Sequence, residues 1–201
     1  HIVDTGFSGA HGIIACDINN DYFTDIIASS ANLHEIAWWE NNGNDPPMWT
    51  KHIVCDNFHT SQSCYVIDID NDGDMDIIGA SSDDDEIAVW FNLNGLATDW
   101  QKQLVSDSFD LAHWVHSCDL DKDGDNDILG AACIDGEIAW WENNGDNFPL
   151  WKKHSIGKEF ACALTVLASD FNNDGNTDVY ASAWFADKIS LWQNTGNPTS
   201  T

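Results

Sequence analysis

Four acidic nonapeptides recur at an interval of 51 residues, and this regularity constrains the fold more than any other feature of the chain. DINNDYFTD begins at Asp17, DIDNDGDMD at Asp68, DLDKDGDND at Asp119 and DFNNDGNTD at Asp170. Other columns keep the same interval without a slip. Phe7, Phe58, Phe109 and Phe160 form one, and Trp39, Trp90, Trp141 and Trp192 form another. Trp49, Trp100 and Trp151 form a third, each followed two residues later by Lys51, Lys102 or Lys153. A period near 50 residues implies one supersecondary unit per repeat, stacked on its neighbours to bury a shared core.

Within a unit the apolar runs have the character of strands. In the second copy these are CYVID (64–68), MDIIGAS (75–81), EIAVWFN (86–92) and WQKQLV (100–105). They are short, rich in β-branched and aromatic residues, and bounded by Gly, Asn and Asp. No stretch carries a sustained helical period with caps. The expected fold is all-β, a β-propeller of four four-stranded blades in a single domain, 1–201. Blade 1 covers about 10–54, blade 2 about 61–105, blade 3 about 112–156, and blade 4 about 163–193 plus 1–4. The fourth copy reaches Asn197-Pro198-Thr199 without its W-x-K-H-x-V strand, and His1-Ile2-Val3 matches the end of that strand. The N-terminal segment is therefore expected to complete the last blade, in its own molecule or in a neighbour, and to remove an open sheet edge.

Each acidic loop alternates carboxylates along a tight turn, with Gly where the chain bends sharply. Side chains at positions 1, 3, 5 and 9, with the carbonyl at 7, can form an oxygen cage. Hard oxygen ligands at high negative charge select Ca²⁺, because Mg²⁺ keeps its waters. The expected ligands are Asp68, Asp70, Asp72, Asp74 (carbonyl) and Asp76 in copy two, and Asp119, Asp121, Asp123, Asp125 (carbonyl) and Asp127 in copy three. Copy four offers Asp170, Asn172, Asp174, Asn176 (carbonyl) and Asp178, and copy one Asp17, Asn19, Asp21, Phe23 (carbonyl) and Asp25. Tyr22 stands in copy one where the others have Gly, so that site is expected to be the weakest of three to four calcium sites.

These motifs resemble the FG-GAP/VCBS repeat family, the calcium-binding blades of integrin α-subunit propellers and of some fungal lectins. The pieces that carry the resemblance are F-x-x-x-x-x-V-I-D-I-D-N-D-G-D-M-D-I-I-G-A in copy two, D-I-L-G-A-A in copy three, and EIAWWENNG at 35–43 and 137–145. The resemblance implies a propeller whose calcium sites lie between the first and second strands of each blade. It implies no single activity, since the family includes adhesion modules, lectins and accessory domains of enzymes.

Charge narrows the partners. The chain has 34 Asp plus Glu against 7 Lys and no Arg, a formal net charge of −27. Nucleic acid and anionic membrane surfaces both require Lys or Arg against phosphate, so neither is an expected partner. Such charge repels itself in a compact state unless cations neutralise it. The 11 Trp and 9 Phe argue against disorder as the alternative. No apolar run is long enough for a transmembrane helix. The chain opens at His1, which reads as a processed or excised form.

The 6 Cys lack CxxC or zinc-ligand spacing, and disulfides in an extracellular or cell-surface setting are the better reading. Cys133–Cys162, Cys55–Cys64 and Cys16–Cys118 are the expected pairs. The Trp39 column is expected to pack between blades. The Trp49 column lies on outer strands, whose edges the three Lys would blunt, and could stack on a sugar. His11 matches His113 and Cys16 matches Cys118, so copies one and three resemble each other more than they resemble the other two. His113 and His116 lack a third ligand at metal spacing, and no G-x-S-x-G, His-Glu-x-x-His or phosphate loop occurs. The expected role is non-catalytic: structural self-assembly or interaction with other extracellular proteins, with glycan binding as the alternative.

Overall fold

A computed structural model describes residues 1–196, and the stretch 197–201, which includes Asn197-Pro198-Thr199, lies outside the described residues. Four antiparallel sheets follow one another along the chain. The first contains β1 (Ala10–Cys16), β2 (Asp25–Ser30), β3 (Glu35–Asn41) and β4 (Trp49–Cys55). The second contains β5 (Ser61–Ile67), β6 (Asp76–Ser81), β7 (Glu86–Asn92) and β8 (Trp100–Ser106). The third contains β9 (Ala112–Cys118), β10 (Asp127–Ala132), β11 (Glu137–Glu142) and β12 (Lys152–Gly157). The fourth has three strands, β13 (Ala163–Ser169), β14 (Asp178–Ala183) and β15 (Lys188–Trp192). Each sheet is a simple meander with its strands in chain order, and the described residues contain no helix.

The sheets stack face to face as propeller-type blades. β1 packs on β5, β5 on β9 and β9 on β13. The first strands therefore lie innermost, and His11 of sheet 1 meets His113 of sheet 3 edge to face at 5.6 Å. Three buried clusters fill the spaces between consecutive sheets. In the middle one, Ile69, Ile78, Ile87 and Val89 of sheet 2 meet Phe109, Val115, Ile128 and Trp141 of sheet 3. The Phe and Trp columns form one device: Phe58 meets Trp90 at 4.9 Å and 82°, and Phe109 meets Trp141 at 5.0 Å and 90°. Such edge-to-face pairs favour the quadrupoles of both rings.

The outer-strand lysines do not blunt an edge as expected. Their register opposite Trp39, Trp90 and Trp141 turns them onto the face of the sheet. There Lys51 pairs with Glu35, Lys102 with Glu86 at 2.6 Å and Lys153 with Glu137 at 2.9 Å. Each ammonium also lies 4.7–5.1 Å from the centre of its Phe ring. In sheet 4 the Glu of this column is replaced by Lys188. Its Nζ lies 5.2 Å from the centre of the Phe160 ring, the place held elsewhere by a fourth-strand lysine.

Of the two arrangements expected for the N-terminal segment, completion of the last blade of its own molecule does not occur. Residues 1–9 form no strand, sheet 4 keeps three, and no comparable packing joins β13 back to β1. Val3 and Phe7 instead pack on Ala28, Ala37 and Trp39 of sheet 1, with Phe7 edge-on to Trp39 at 4.8 Å. The Phe–Trp contact draws the segment onto sheet 1, the sheet that follows it in the chain.

Of the three expected disulfides, Cys133–Cys162 is present and links the β10–β11 turn to the loop entering β13. Cys16, Cys55, Cys64 and Cys118 are free thiols, so Cys55–Cys64 and Cys16–Cys118 are corrected. Cys16, Cys55 and Cys64 share the cluster between sheets 1 and 2, while Cys118 packs in that between sheets 3 and 4. Burial as apolar filler pushes all four thiols up to about 12.

One tight inter-sheet approach is at Gly79. A Cβ there would meet Phe58, Ile36 and Trp90 at 2.8–2.9 Å. Gly79→Ala should therefore destabilise the fold by about 1–3 kcal/mol through overpacking, read as a lowered midpoint in urea unfolding. The same midpoint in the variant would contradict this packing.

Candidate metal centre

The four acidic loops lie between the first and second strands of their sheets, and the aspartate at position 9 anchors each one. Asp25, Asp76, Asp127 and Asp178 are fully or almost fully buried. In copy two, Asp76 Oδ1 accepts the Asn92 N–H at 2.8 Å and Oδ2 accepts the Ile69 N–H at 3.0 Å. Asp127 does the same with Asn143 and Leu120, both at 2.9 Å. Asp25 holds Asn41 and Ile18, and Asp178 holds Asn194 and Phe171. One carboxylate thus ties the loop's second residue to the end of the third strand. This role was not foreseen, although the position of these aspartates at the head of each second strand was the available signal.

The remaining loop geometry is a series of backbone N–H groups turned onto carboxylates. Asp68 accepts from Asp72 and Gly73, and Asp72 accepts from Asp74 at 2.9 Å. Asp119 accepts from Gly124, and Asp123 from Asp125. The bend requires positive φ, with Gly73 at 98°, Gly124 at 102° and Gly175 at 87°. Tyr22 takes φ 75° at the equivalent place with its ring almost wholly in solvent.

Adjacent loops are also linked. Asn20 Nδ2 donates to Asp74 Oδ1, Asn71 Nδ2 to Asp125 Oδ1, and Lys122 Nζ to Asn176 Oδ1 at 2.8 Å. The position-7 side chains therefore face the preceding loop, and only their carbonyls remain for the loop's own centre. A second clamp comes from Asn92, Asn143 and Asn194, whose Nδ2 atoms reach the Ile18, Ile69 and Leu120 carbonyls of the preceding loop.

Three sets of carboxylates converge, with one oxygen from each residue within 4.8 Å of the others: Asp17, Asp21 and Asp25; Asp68, Asp70 and Asp76; Asp119, Asp121 and Asp127. Copy one gathers three acidic groups despite Tyr22. Copy four yields no such trio among the described residues. There Asn172 donates to Asp174 at 2.9 Å, and Asp170 accepts from Asp174 and Gly175. Asn19 likewise donates to Asp21 at 3.2 Å. Phe23 lies in the loop with its N–H on Asp21, so its carbonyl is the only ligand it can offer.

These donors fit a hard cation. Asp119 Oδ1 is buried with no hydrogen-bond partner, an arrangement that costs desolvation unless something positive faces it. Burial, opposed by the backbone N–H bonds and reinforced by neighbouring carboxylates, raises Asp76 and Asp127 to about 7. Burial and the Asp72 charge raise Asp70 to about 6. Asp25 and Asp121 shift upward for the same reasons. Lys51, Lys102 and Lys153 are committed to glutamates elsewhere.

His52, His113, His116 and His154 are held by other partners. His113 Nδ1 lies 3.0 Å from the Leu164 carbonyl, and His116 packs edge-on to Tyr65 at 4.7 Å. Trp38 and Trp140, a column not singled out in the sequence, stack on His52 and His154 at 4.4 and 4.5 Å.

The FG-GAP-like repeat model matches the chain three times, over residues 17–79, 68–130 and 119–181. The chain belongs to the FG-GAP-like repeat family, and each match starts at the first aspartate of an acidic loop and ends in the second strand of the next sheet. A search of curated proteins finds no match.

The raised carboxyls set a pH dependence. The folded, metal-free chain holds the Asp76 and Asp127 protons more tightly than the unfolded chain, whose carboxyls titrate near about 4. Their contribution is thus present at low pH and lost as pH rises toward about 7. Thermal unfolding in chelator should show a lower midpoint at pH 8 than at pH 5, and Asp70→Asn should reduce that difference. A midpoint that rises with pH would contradict the assignment.

Proposed function

We propose that this FG-GAP-repeat chain is a non-catalytic, calcium-stabilised propeller module of the extracellular space or cell surface, acting in structural assembly or protein interaction. The observation that carries the calcium reading is the unpartnered, buried Asp119 oxygen within a converging carboxylate trio. Asp119, Asp121 and Asp127 would hold the ion in copy three, with Asp123 and the Asp125 carbonyl completing the oxygen set. Asp68, Asp70, Asp72, Asp76 and the Asp74 carbonyl would do so in copy two. In copy one the set is Asp17, Asn19, Asp21, Asp25 and the Phe23 carbonyl. Copy four, with Asp170, Asn172, Asp174, Asp178 and the Asn176 carbonyl, carries the least converged charge and is the weakest. The ion supplies the positive charge that the loops lack.

Cys133–Cys162 supports an oxidising location. Among the described residues no helix is long and apolar enough to cross a membrane. A binding or assembly role draws further support from the way the described polar clusters are used up: the carboxylates in loop architecture, His113 on a carbonyl, His116 on a ring, and His52 and His154 on Glu40 and Glu142. A second reading, carbohydrate binding, has one specific observation in its favour. Trp184 and Phe185 stack on each other at 5.1 Å in the β14–β15 turn with both rings exposed. The Trp100 indole, by contrast, donates to the Ala97 carbonyl at 3.1 Å, and its column is partly buried. A glycan array that loses its signal with Trp184→Ala would favour this second reading.

Calcium at ~100-fold above its dissociation constant stabilises a fold by about 2.7 kcal/mol per site. Two or three such sites rival a typical domain stability of roughly 5–15 kcal/mol. Calorimetric melting should therefore shift upward by many degrees in millimolar calcium relative to EGTA. Equal melting temperatures in the two buffers would overturn the calcium reading.

A further inference from the structure

The interface between consecutive sheets is built three times, and each time by one knob and one hole. The knob is the isoleucine second in the third strand of one sheet. The hole is a small residue in the second strand of the next sheet, flanked by that sheet's Phe and Trp. Ile36 reaches Gly79 between Phe58 and Trp90, and Ile87 reaches Gly130 between Phe109 and Trp141. Ile138 shares a cluster with Ala181, Phe160 and Trp192. All three isoleucines are wholly buried.

Sheet 4 carries the same knob, uncovered by the described residues. Ile189 occupies the column of Ile36, Ile87 and Ile138 and is 87% exposed. Its neighbours follow suit: Phe171, in the column of the buried Ile18, Ile69 and Leu120, is 67% exposed, and Leu191 and Leu167 are exposed beside it. Sheet 1 carries the matching hole, also open. A shallow apolar groove runs between Phe7 and Trp39 over Ala28, with Ile13 and Ile26 on its wall. Ile13 shares the column of Cys64, Val115 and Val166, all buried, and is itself 72% exposed. The two end faces are thus the unmated halves of an interface the molecule makes three times internally.

We propose that these faces dock on each other between copies of this chain, head to tail, with Ile189 of one copy seated in the Phe7–Trp39 groove of the next. The inference deepens the assembly reading above and rests on it. Three features of the faces select this partner over an unrelated one. The hole is already formed, because Phe7 is folded onto Trp39 at 4.8 Å. Knob and hole keep the residue columns of the internal interfaces, so shape is repeated rather than newly evolved. The faces differ from one another, so the contact is heterologous and each copy offers one of each. Exposed apolar faces of this kind mark interaction sites on folded proteins.

The test is sedimentation velocity on the full chain in millimolar calcium, over micromolar to hundred-micromolar concentration, with Ile189→Asp and Ile13→Asp as single variants. Both side chains are solvent-exposed, so neither change removes a contact within the chain's own core, and an unchanged calcium-dependent melting temperature verifies folding. Wild type should associate, and each variant should weaken association by on the order of 100-fold, since an aspartate would be buried unpaired. An equimolar mixture of the two variants should restore a 1:1 complex, because it combines the intact groove of one with the intact knob of the other. Wild type that stays monomeric, or variants that fail to complement, would overturn the docking while leaving the calcium reading intact. Loss of the calcium shift with association preserved would do the reverse.

Discussion

Each acidic loop is held by a buried carboxylate that spends both oxygens on backbone N–H groups. Asp76 bonds Ile69 and Asn92, and the same geometry recurs at Asp25, Asp127 and Asp178. This arrangement fixes the loop against the end of the third strand and aims the other carboxylates inward. It also places several negative charges within 4.8 Å of one another. Burial in such a setting disfavours ionisation, which is why Asp76 and Asp127 rise to about 7. In the proposed function, an ion held by oxygen ligands balances this charge at neutral pH without adding a side chain.

Loop order propagates to sheet packing through short links. Asn92, Asn143 and Asn194 each reach back to a carbonyl of the preceding loop, and Asn20, Asn71 and Lys122 each reach forward to the following one. Below them, the isoleucine knobs sit between Phe and Trp rings, close enough that Gly79 and Gly130 have no room for a Cβ. The polar rim and the apolar interfaces therefore set the same spacing between sheets. Neutralising the rim relieves repulsion along the side where consecutive loops touch.

Much of this was legible from the 51-residue period. The third strand of copy two, expected at 86–92, is Glu86–Asn92, and the others differ by only one to three residues at their ends. The Phe and Trp columns were visible, but not that they meet as pairs, because a column records recurrence and not direction. The same limit explains the N-terminal segment. Val3 matches Val54, and the match marks a place against the following sheet, since Val54 packs with Trp90 and Val3 with Trp39. It does not identify a strand partner. The cysteine pairs beyond Cys133–Cys162 failed for a related reason: spacing does not reveal that Cys16, Cys55 and Cys64 serve as apolar filler in one cluster. Likewise, Tyr22 was expected to weaken copy one, yet the chain reaches the left-handed turn with the Tyr22 ring in solvent, and the three carboxylates still converge. Copy four keeps Gly175 and carries Asn172 in the column where copy one carries Asn19, so neither the glycine nor the asparagine alone accounts for the missing trio.

The central claim is that a bound cation completes the loops and so fixes the aspartate anchors. Amide hydrogen exchange at Ile69, Asn92, Leu120 and Asn143, compared in calcium and in EGTA at the same pH, tests it most directly. These four N–H groups donate to Asp76 and Asp127. The account predicts that calcium slows their exchange by at least about tenfold, a change of about 1.4 kcal/mol in the local opening free energy. Exchange at these amides that is the same with and without calcium would contradict it.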